Sequence, residues 1–203
     1  NPDTGELFTI SKVKQIIEQT NSGVNLAKTN LAGLDLSQID FKKINMAGAY
    51  LYRTNLTGST LTGVNLRDAN LSYATLQNVN LQNADLTGAI LTGVVIKNSN
   101  LNGANLSETS LENAIIDRST LIKTNFSSSN LGKIKVIESL LENANLQNVN
   151  LTKSQIIRSD FSQSNLEYSD LSFMVGSGST FNGVNFEGSI FFKSDFSRAD
   201  LSK

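Results

Sequence analysis

The chain has 203 residues, 17 of them basic and 18 acidic, so its net charge is −1, spread without strong asymmetry between the two halves. That balance carries neither a nucleic-acid-binding strip nor a polyanionic mimic. The absence of cysteine and histidine excludes thiol nucleophiles, thiolate metal sites, imidazole bases and disulfides together.

Residues 1–23 form an N-terminal segment with no repeat. Within it, Ile10 to Thr20 is predicted as a short amphipathic helix, with Val13, Ile16 and Ile17 on one stripe and Lys12, Lys14, Glu18 and Gln19 opposite. Thr9 or Ser11 is its candidate N-cap, Asn21-Ser22-Gly23 its stop signal, and Pro2 precedes it. Its expected role is a lid on the first turn of the repetitive region. A membrane-surface role is set aside, because one stripe and few basic residues give little to hold a bilayer. No run approaches the roughly 18 apolar residues of a membrane span. The first residue is Asn1 rather than Met, so the chain is expected to be processed or cut from a longer one.

Residues 24–203 are one unit with no visible linker. From Leu26 to Leu201 an apolar residue returns every fifth position, and Gly176 is the single exception. A period of five fits neither a helix nor an ordinary strand, so each pentapeptide must turn the chain by a fixed angle about a common axis. With the apolar residue called i, position i−2 is mostly small (Ala49, Ala69, Ala84, Ala104, Ala144), whereas i−1, i+1 and i+2 are polar. Two inward residues in five, one large and one small, fill a narrow core. Glycine recurs at i+2 (Gly33, Gly48, Gly58, Gly63, Gly88), where a corner favours the smallest residue.

Four pentapeptides close one turn, because a 20-residue spacing sorts the chemistry into columns. Position i−1 then reads Asn25, Asn45, Asn65, Asp85, Asn105, Asn125, Asn145, Asn165, Asn185, and Ile96, Ile116, Val136 and Ile156 share another column. Segments such as Ala69-Asn70-Leu71-Ser72-Tyr73, Ala84-Asp85-Leu86-Thr87-Gly88 and Ala104-Asn105-Leu106-Ser107-Glu108 resemble the pentapeptide repeat family, whose consensus is A(D/N)LXX. The resemblance implies an all-β fold, a right-handed quadrilateral parallel β-helix of about nine 20-residue coils with a short N-terminal α-helical cap. At about 4.8 Å per coil the rod would be roughly 40 Å long. It also implies a bacterial, and in particular cyanobacterial, type of protein.

Departures from the repeat mark candidate surfaces. Val95, Ile115, Ile137 and Ile157 occupy outward slots on the face with β-branched centres and are predicted to form an apolar stripe that binds a partner. Arg118, Glu138 and Arg158 beside it are expected to form a charge ladder. Tyr50, Tyr52 and Tyr73 on the adjacent face are a second candidate. Toward the end of the chain the centres become Phe181, Phe186, Phe191 and Phe196, and the outward residues Phe173, Val175, Ile190 and Phe192 form a candidate C-terminal association patch. Lys133, Lys153 and Lys193 share a column, a basic strip too weak to imply nucleic acid.

Little here suggests catalysis. Ser11 and Lys14 have the S-x-x-K spacing of β-lactamase-like enzymes, but no K-T-G is present downstream. Asp35, Asp40, Asp85, Asp160, Asp170, Asp195 and Asp200 all lie at i−1, where a carboxylate is expected to bond local backbone rather than serve as acid or base. Sequons such as Asn55-Leu56-Thr57 arise from the repeat itself. The expected function is a non-enzymatic scaffold for protein–protein interaction, without cofactor, metal, nucleic acid or membrane, bound to a protein partner or to itself through the C-terminal end. Two alternatives remain. One is a topoisomerase-binding DNA mimic, as in the quinolone-resistance branch, which the resemblance describes as strongly acidic and dimerised through an aromatic C-terminal end. The other is a regulatory or targeting domain cut from a larger enzyme such as a kinase. The compartment stays open: cytoplasm is preferred, with periplasm and thylakoid lumen as alternatives.

Overall fold

The computed structural model describes residues 9–19, 24–42 and 44–202. Helix α1 spans Ile10–Gln19. Of the two candidate N-caps, Thr9 fills the role: its hydroxyl accepts the Lys12 amide at 3.3 Å and its carbonyl accepts the Val13 amide at 3.0 Å. Val13 is fully buried in the same core as Leu26 and Leu31, with Ile10, Ile16 and Ile17 packed partly against it. The helix thereby closes one end of that core. Pro2, Asn21-Ser22-Gly23 and the side chains of Glu18 and Gln19 lie outside the described residues.

The rest is a parallel β-solenoid. Bridges join every i−1 position to the residue twenty further on, from Asn25↔Asn45 through Asn105↔Asn125 to Thr180↔Asp200, so residues twenty apart stack directly. The rod has four faces, which we number by their first centres: Leu26, Leu31, Leu36 and Phe41. Positions i and i−2 point inward and are buried along most of the rod, as in Leu101, Ala104, Leu106, Thr109 and Leu111.

Each pentapeptide satisfies its backbone by a fixed scheme. The amide of i donates to the i−1 carbonyl of the next coil (Leu106 to Asn125, 2.7 Å), and the amide of i+2 donates to the next i+1 carbonyl (Glu108 to Ser127, 2.9 Å). At most corners the amide of i+3 returns to the carbonyl of i, closing a β-turn (Ala104 to Leu101, 3.0 Å). The amide of i−1 donates to the i−2 carbonyl of the previous coil (Asn125 to Ala104, 3.0 Å). That leaves the amide of i+1, and the Asn or Asp at i−1 accepts it through Oδ1: Asn45 from Ala47 at 3.1 Å, Asn125 from Ser127 at 3.1 Å. The Asn/Asp column is therefore a row of Asx turns.

The third face departs from this scheme. There the strands β1 (Thr75–Gln77), β2 (Val95–Lys97), β3 (Ile115–Asp117), β4 (Lys135–Ile137) and β5 (Gln155–Ile157) form a parallel sheet in the order β1-β2-β3-β4-β5. Their i−1 residues are Thr75, Val95, Ile115, Lys135 and Gln155, none of which makes an Asx turn, so the i+1 residue pairs in the ladder instead. The β-branched centres Ile96, Ile116, Val136 and Ile156 suit this extended backbone. Ladder pairing leaves the next corner without its turn bond, and a file of buried serines replaces it. The amide of Val79 donates to Ser99 Oγ at 3.0 Å, Ser99 to Ser119 at 3.1 Å, Ser119 to Ser139 at 3.1 Å, Ser139 to Ser159 at 3.2 Å and Ser159 to Ser179 at 3.1 Å. Among the described residues regular strand pairing is thus confined to five short strands, and the other contacts between coils are single bridges.

At the far end the core turns aromatic. Phe181 stacks on Phe161 at 5.4 Å and meets Phe196 edge-on at 5.3 Å, while Phe186 and Phe191 lie 5.3 Å apart. Gly176 fits this layer, since a Cβ there would lie 3.2 Å from the Phe196 ring and 3.3 Å from that of Phe181. Phe181 is buried, but Phe191 is exposed. Among the described residues the amides of Phe186, Phe191 and Phe196 have no backbone acceptor.

Candidate functional site

The exposed apolar side chains are not shared evenly among the faces. Among the described residues Tyr50, Tyr73, Ile90, Phe173, Ile190 and Phe192 all belong to the outer side of the second face and Tyr168, Val175 and Leu140 to the other three, while the exposed centres Phe191 and Leu201 lie in the last coil. Along the linear sequence the tyrosines and the C-terminal residues read as separate patches. The 20-residue register puts them on one side of the rod, and residue numbers compared modulo twenty show it: 50, 90 and 190 share one column, 52 and 192 a second, 73 and 173 a third. Ile90 escapes notice without that comparison.

Within the tyrosine group the Tyr52 and Tyr73 rings meet edge-on at 5.8 Å, and the Arg53 guanidinium lies 5.2 Å from the Tyr52 centroid. At the other end Phe173 and Phe192 meet edge-on at 5.4 Å, and Lys193 Nζ lies 5.2 Å from the Phe192 centroid. Tyr73 and Phe173 each sit at a left-handed corner (φ 59°). A glycine twenty residues on leaves room for the Tyr73 ring, because a Cβ at Gly93 would lie 2.6 Å from it. Val175 stands apart from Phe173, Ile190 and Phe192, on the third face between Gln155 and Asp195.

The third face splits the predicted stripe into two pairs. Val95 registers with Ile115, and Ile137 with Ile157, but Ile115 faces Lys135 and Ile137 faces Asp117. The pairs occupy i−1 and i+1 columns, both outward, about 7 Å apart along the strand. All four side chains are half-buried. The expected charge ladder is also divided. Arg158 donates to Glu138 across one coil, Nε to Oε1 at 3.0 Å, whereas Arg118 turns to Asp117 on its own strand at 3.0 Å. A carboxylate one residue away costs Arg118 less ordering than reaching the next coil. In the lysine column Lys133 is paired with Glu112 at 2.9 Å, which removes one cation from the basic strip.

The carboxylates act as turn acceptors. Asp35, Asp40, Asp85, Asp160, Asp170, Asp195 and Asp200 each take the amide two residues on, at 2.8 to 3.2 Å. The hydroxyl and amide of Ser37 hold Asp35 below the usual carboxylate range, and those of Ser197 do the same for Asp195. At Asp200 the Ser202 amide and hydroxyl lower the pKa; at Asp85 burial pushes it up but Thr87 and Arg67 outweigh that. A carboxyl held ionised in this way is a poor proton donor near neutrality. Among the described residues no group of acidic side chains could hold a metal ion, and no helix is long and apolar enough to cross a membrane. Among the described residues two clefts are open to solvent: one, beside α1, is lined by Lys14, Ile17, Gln38, Ile39 and Asp40, and another by the amide side chains of Gln82, Asn83 and Asn102 with Lys123.

Register, corner chemistry and a core of one large and one small residue per pentapeptide define a pentapeptide solenoid. The family profile "Pentapeptide repeats" matches residues 22–58, 49–88, 65–103, 96–132, 129–167, 144–174 and 177–203, and the chain belongs to that family. Among solved structures it is similar to trypsin-treated QnrB1, a plasmid-mediated fluoroquinolone resistance protein, at 22% identity over 86% of this chain and 89% of that one, with a TM-score of 0.63. At that identity the likeness shows the fold. Two further neighbours superpose too loosely to carry an argument. HetL, involved in heterocyst differentiation regulation in the cyanobacterium Nostoc, has a TM-score of 0.39 at 21% identity, covering 95% and 96% of the two chains. A pentapeptide repeat protein of the Arabidopsis thaliana thylakoid lumen has a TM-score of 0.33 at 18% identity, covering 74% and 79%. No curated protein matches the sequence.

Proposed function

We propose that this chain is a non-enzymatic scaffold that binds protein through the outer faces of its rod. One observation carries the reading: the exposed large apolar side chains concentrate on the second face, where a solvated solenoid would place Asn, Ser or Thr. Rigid repeats with such a face offer a long recognition surface at little ordering cost. The pairs Val95–Ile115 and Ile137–Ile157 are a secondary surface, and Phe173, Val175, Ile190 and Phe192 flank an aromatic end suited to association.

The test is affinity capture from native lysate with three baits: wild type, Tyr52→Ser with Tyr73→Gly, and Ile115→Asp with Ile157→Asp. Loss of a specific partner with the tyrosine variant alone is the expected result. Equal recovery with all three baits would retire both surfaces. A topoisomerase-binding DNA mimic is the weaker reading, resting on the fold shared with QnrB1 and opposed by the net charge of −1. Gyrase supercoiling protected from a quinolone by added protein would revive it.

A further inference from the structure

We propose that the second face is a self-complementary surface on which a second copy of this chain docks, antiparallel and face to face. The proposal rests on the reading of that face as protein-binding and commits it to one occupant. Its ground is the placement of the residues along the face. A two-fold axis lying in the contact plane, parallel to the strands, reverses the order of coils but keeps every column opposite itself. Set between the Leu111 and Leu131 coils, that axis brings Tyr50 against Ile190, Tyr52 against Phe192 and Tyr73 against Phe173. Each pair shares a column by the 20-residue register, and one axis serves all three.

Most of the remaining positions suit the same axis. Asn70 meets Asp170, an amide facing a carboxylate. Lys153 meets Gly93, over which the Tyr73 ring lies. Glu112 meets Gly132, and the small residues Ser72 and Ser172 meet each other, both nearly level with the surface. Ile90 meets Asn150, an apolar side chain against a polar one, and Arg53 stands opposite Lys193. Both cations lie at the corner, in water, and each already rests on an aromatic ring of its own chain, where salt screens their repulsion. The face runs about 40 Å by about 10 Å of backbone, so two copies bury on the order of 800 Å² before projecting side chains are added, below the roughly 1,200 Å² of stable pairs and in the range of weak, transient ones. The dimer is therefore expected to dissociate with dilution, its strength concentrated in the aromatic pairs at both ends.

Sedimentation equilibrium of the full chain across about 1 to 500 µM tests this. The expected result is a monomer–dimer equilibrium whose dissociation constant rises at least about tenfold in Tyr52→Ser with Tyr73→Gly. Both replacements copy residues of the same columns, Ser72 and Gly93, so an unchanged thermal melt separates lost docking from lost folding. Because the chain has no cysteine, Thr92→Cys and Thr152→Cys proteins can be mixed and treated with a short bis-maleimide. Their positions face each other across the proposed axis, so in an equal mixture hetero-dimers should clearly exceed the roughly twofold excess over either homo-dimer that random pairing gives. A wild-type monomer at every concentration overturns the proposal and leaves the capture experiment to judge the broader reading. A dimer insensitive to the tyrosine changes but lost on Phe191→Ser also overturns it, in favour of end-to-end contact.

Discussion

The corners of the third face and those of the other three solve one problem in two ways. Where Asn or Asp stands at i−1, its side chain takes the i+1 amide and the coils meet at single bridges. The turn then closes at most corners, although Thr109, Val149 and Ser169 on the first face donate instead to Ser129, Ser169 and Ser189. Where Thr75, Val95, Ile115, Lys135 and Gln155 stand there, the i+1 residue joins a ladder and Ser99, Ser119, Ser139, Ser159 and Ser179 accept the amides that lose their turns. The serines of this file are thus part of the backbone's hydrogen bonding. Val175 marks the limit of the rule: its own successor at twenty is Asp195, whose Oδ1 accepts the Ser197 amide, and its corner reverts to a turn.

The contrast can be broken first at what both corners share. Leu106 is fully buried, and Leu106→Asp should cost at least about 4 kcal/mol by placing a charge in the core. A thermal melt unchanged by it would contradict the core assignment. Next comes the serine file: Ser119→Ala with Ser139→Ala strips the acceptors from the Ser99 and Ser119 amides, about 1 to 3 kcal/mol for each buried donor left unpaired. Hydrogen exchange should quicken at Ser99 and Ser119 before it does at Ala104. Asn125→Ala removes an Asx acceptor on a wetter corner, where water takes over, so its expected cost is about 1 kcal/mol, read from urea unfolding.

Smaller effects sharpen the comparison. Ser154 is buried with no partner for its hydroxyl, unlike the serine file. Ser154→Ala should therefore leave the melting temperature unchanged or slightly raised, and a clear drop would assign that hydroxyl a role. Asp35, Asp85, Asp195 and Asp200 have folded pKa values below the ordinary 3.8. A lowered folded value means that their contribution is present above about pH 4 and is lost as pH falls through the folded values. The melt should be flat from pH 7 to 5 and decline below about pH 4; a decline starting above pH 5 would point to other groups.

Much of this is legible in the sequence because a fixed period is a geometric statement. The spacing of the Leu centres gives the inward column, and the Asn column from Asn25 to Asn185 gives the turn length. The Asp residues at i−1 are readable as turn acceptors for the same reason. What is not legible depends on which of several partners a side chain chooses. Arg118 has carboxylates on both sides, Asp117 and Glu138, and bonds Asp117. The stripe of Val95, Ile115, Ile137 and Ile157 looks continuous when outward positions on both sides of a centre are pooled, whereas the sheet separates i−1 from i+1. The common face of Tyr50, Tyr52, Tyr73, Ile90, Ile190 and Phe192 is present in the numbering, but their distance along the chain hides it.

The stacking of residues twenty apart underlies every surface of the rod, and paired cysteines test it directly. Val95→Cys with Ile115→Cys places two thiols on neighbouring strands, with Cα atoms about 4.8 Å apart, inside the range that a disulfide bridges. Oxidation should close that bridge readily and leave Val95→Cys with Ser110→Cys, and Val95→Cys with Thr120→Cys, reduced. Facile closure of either control in place of the twenty-residue pair would contradict the fold.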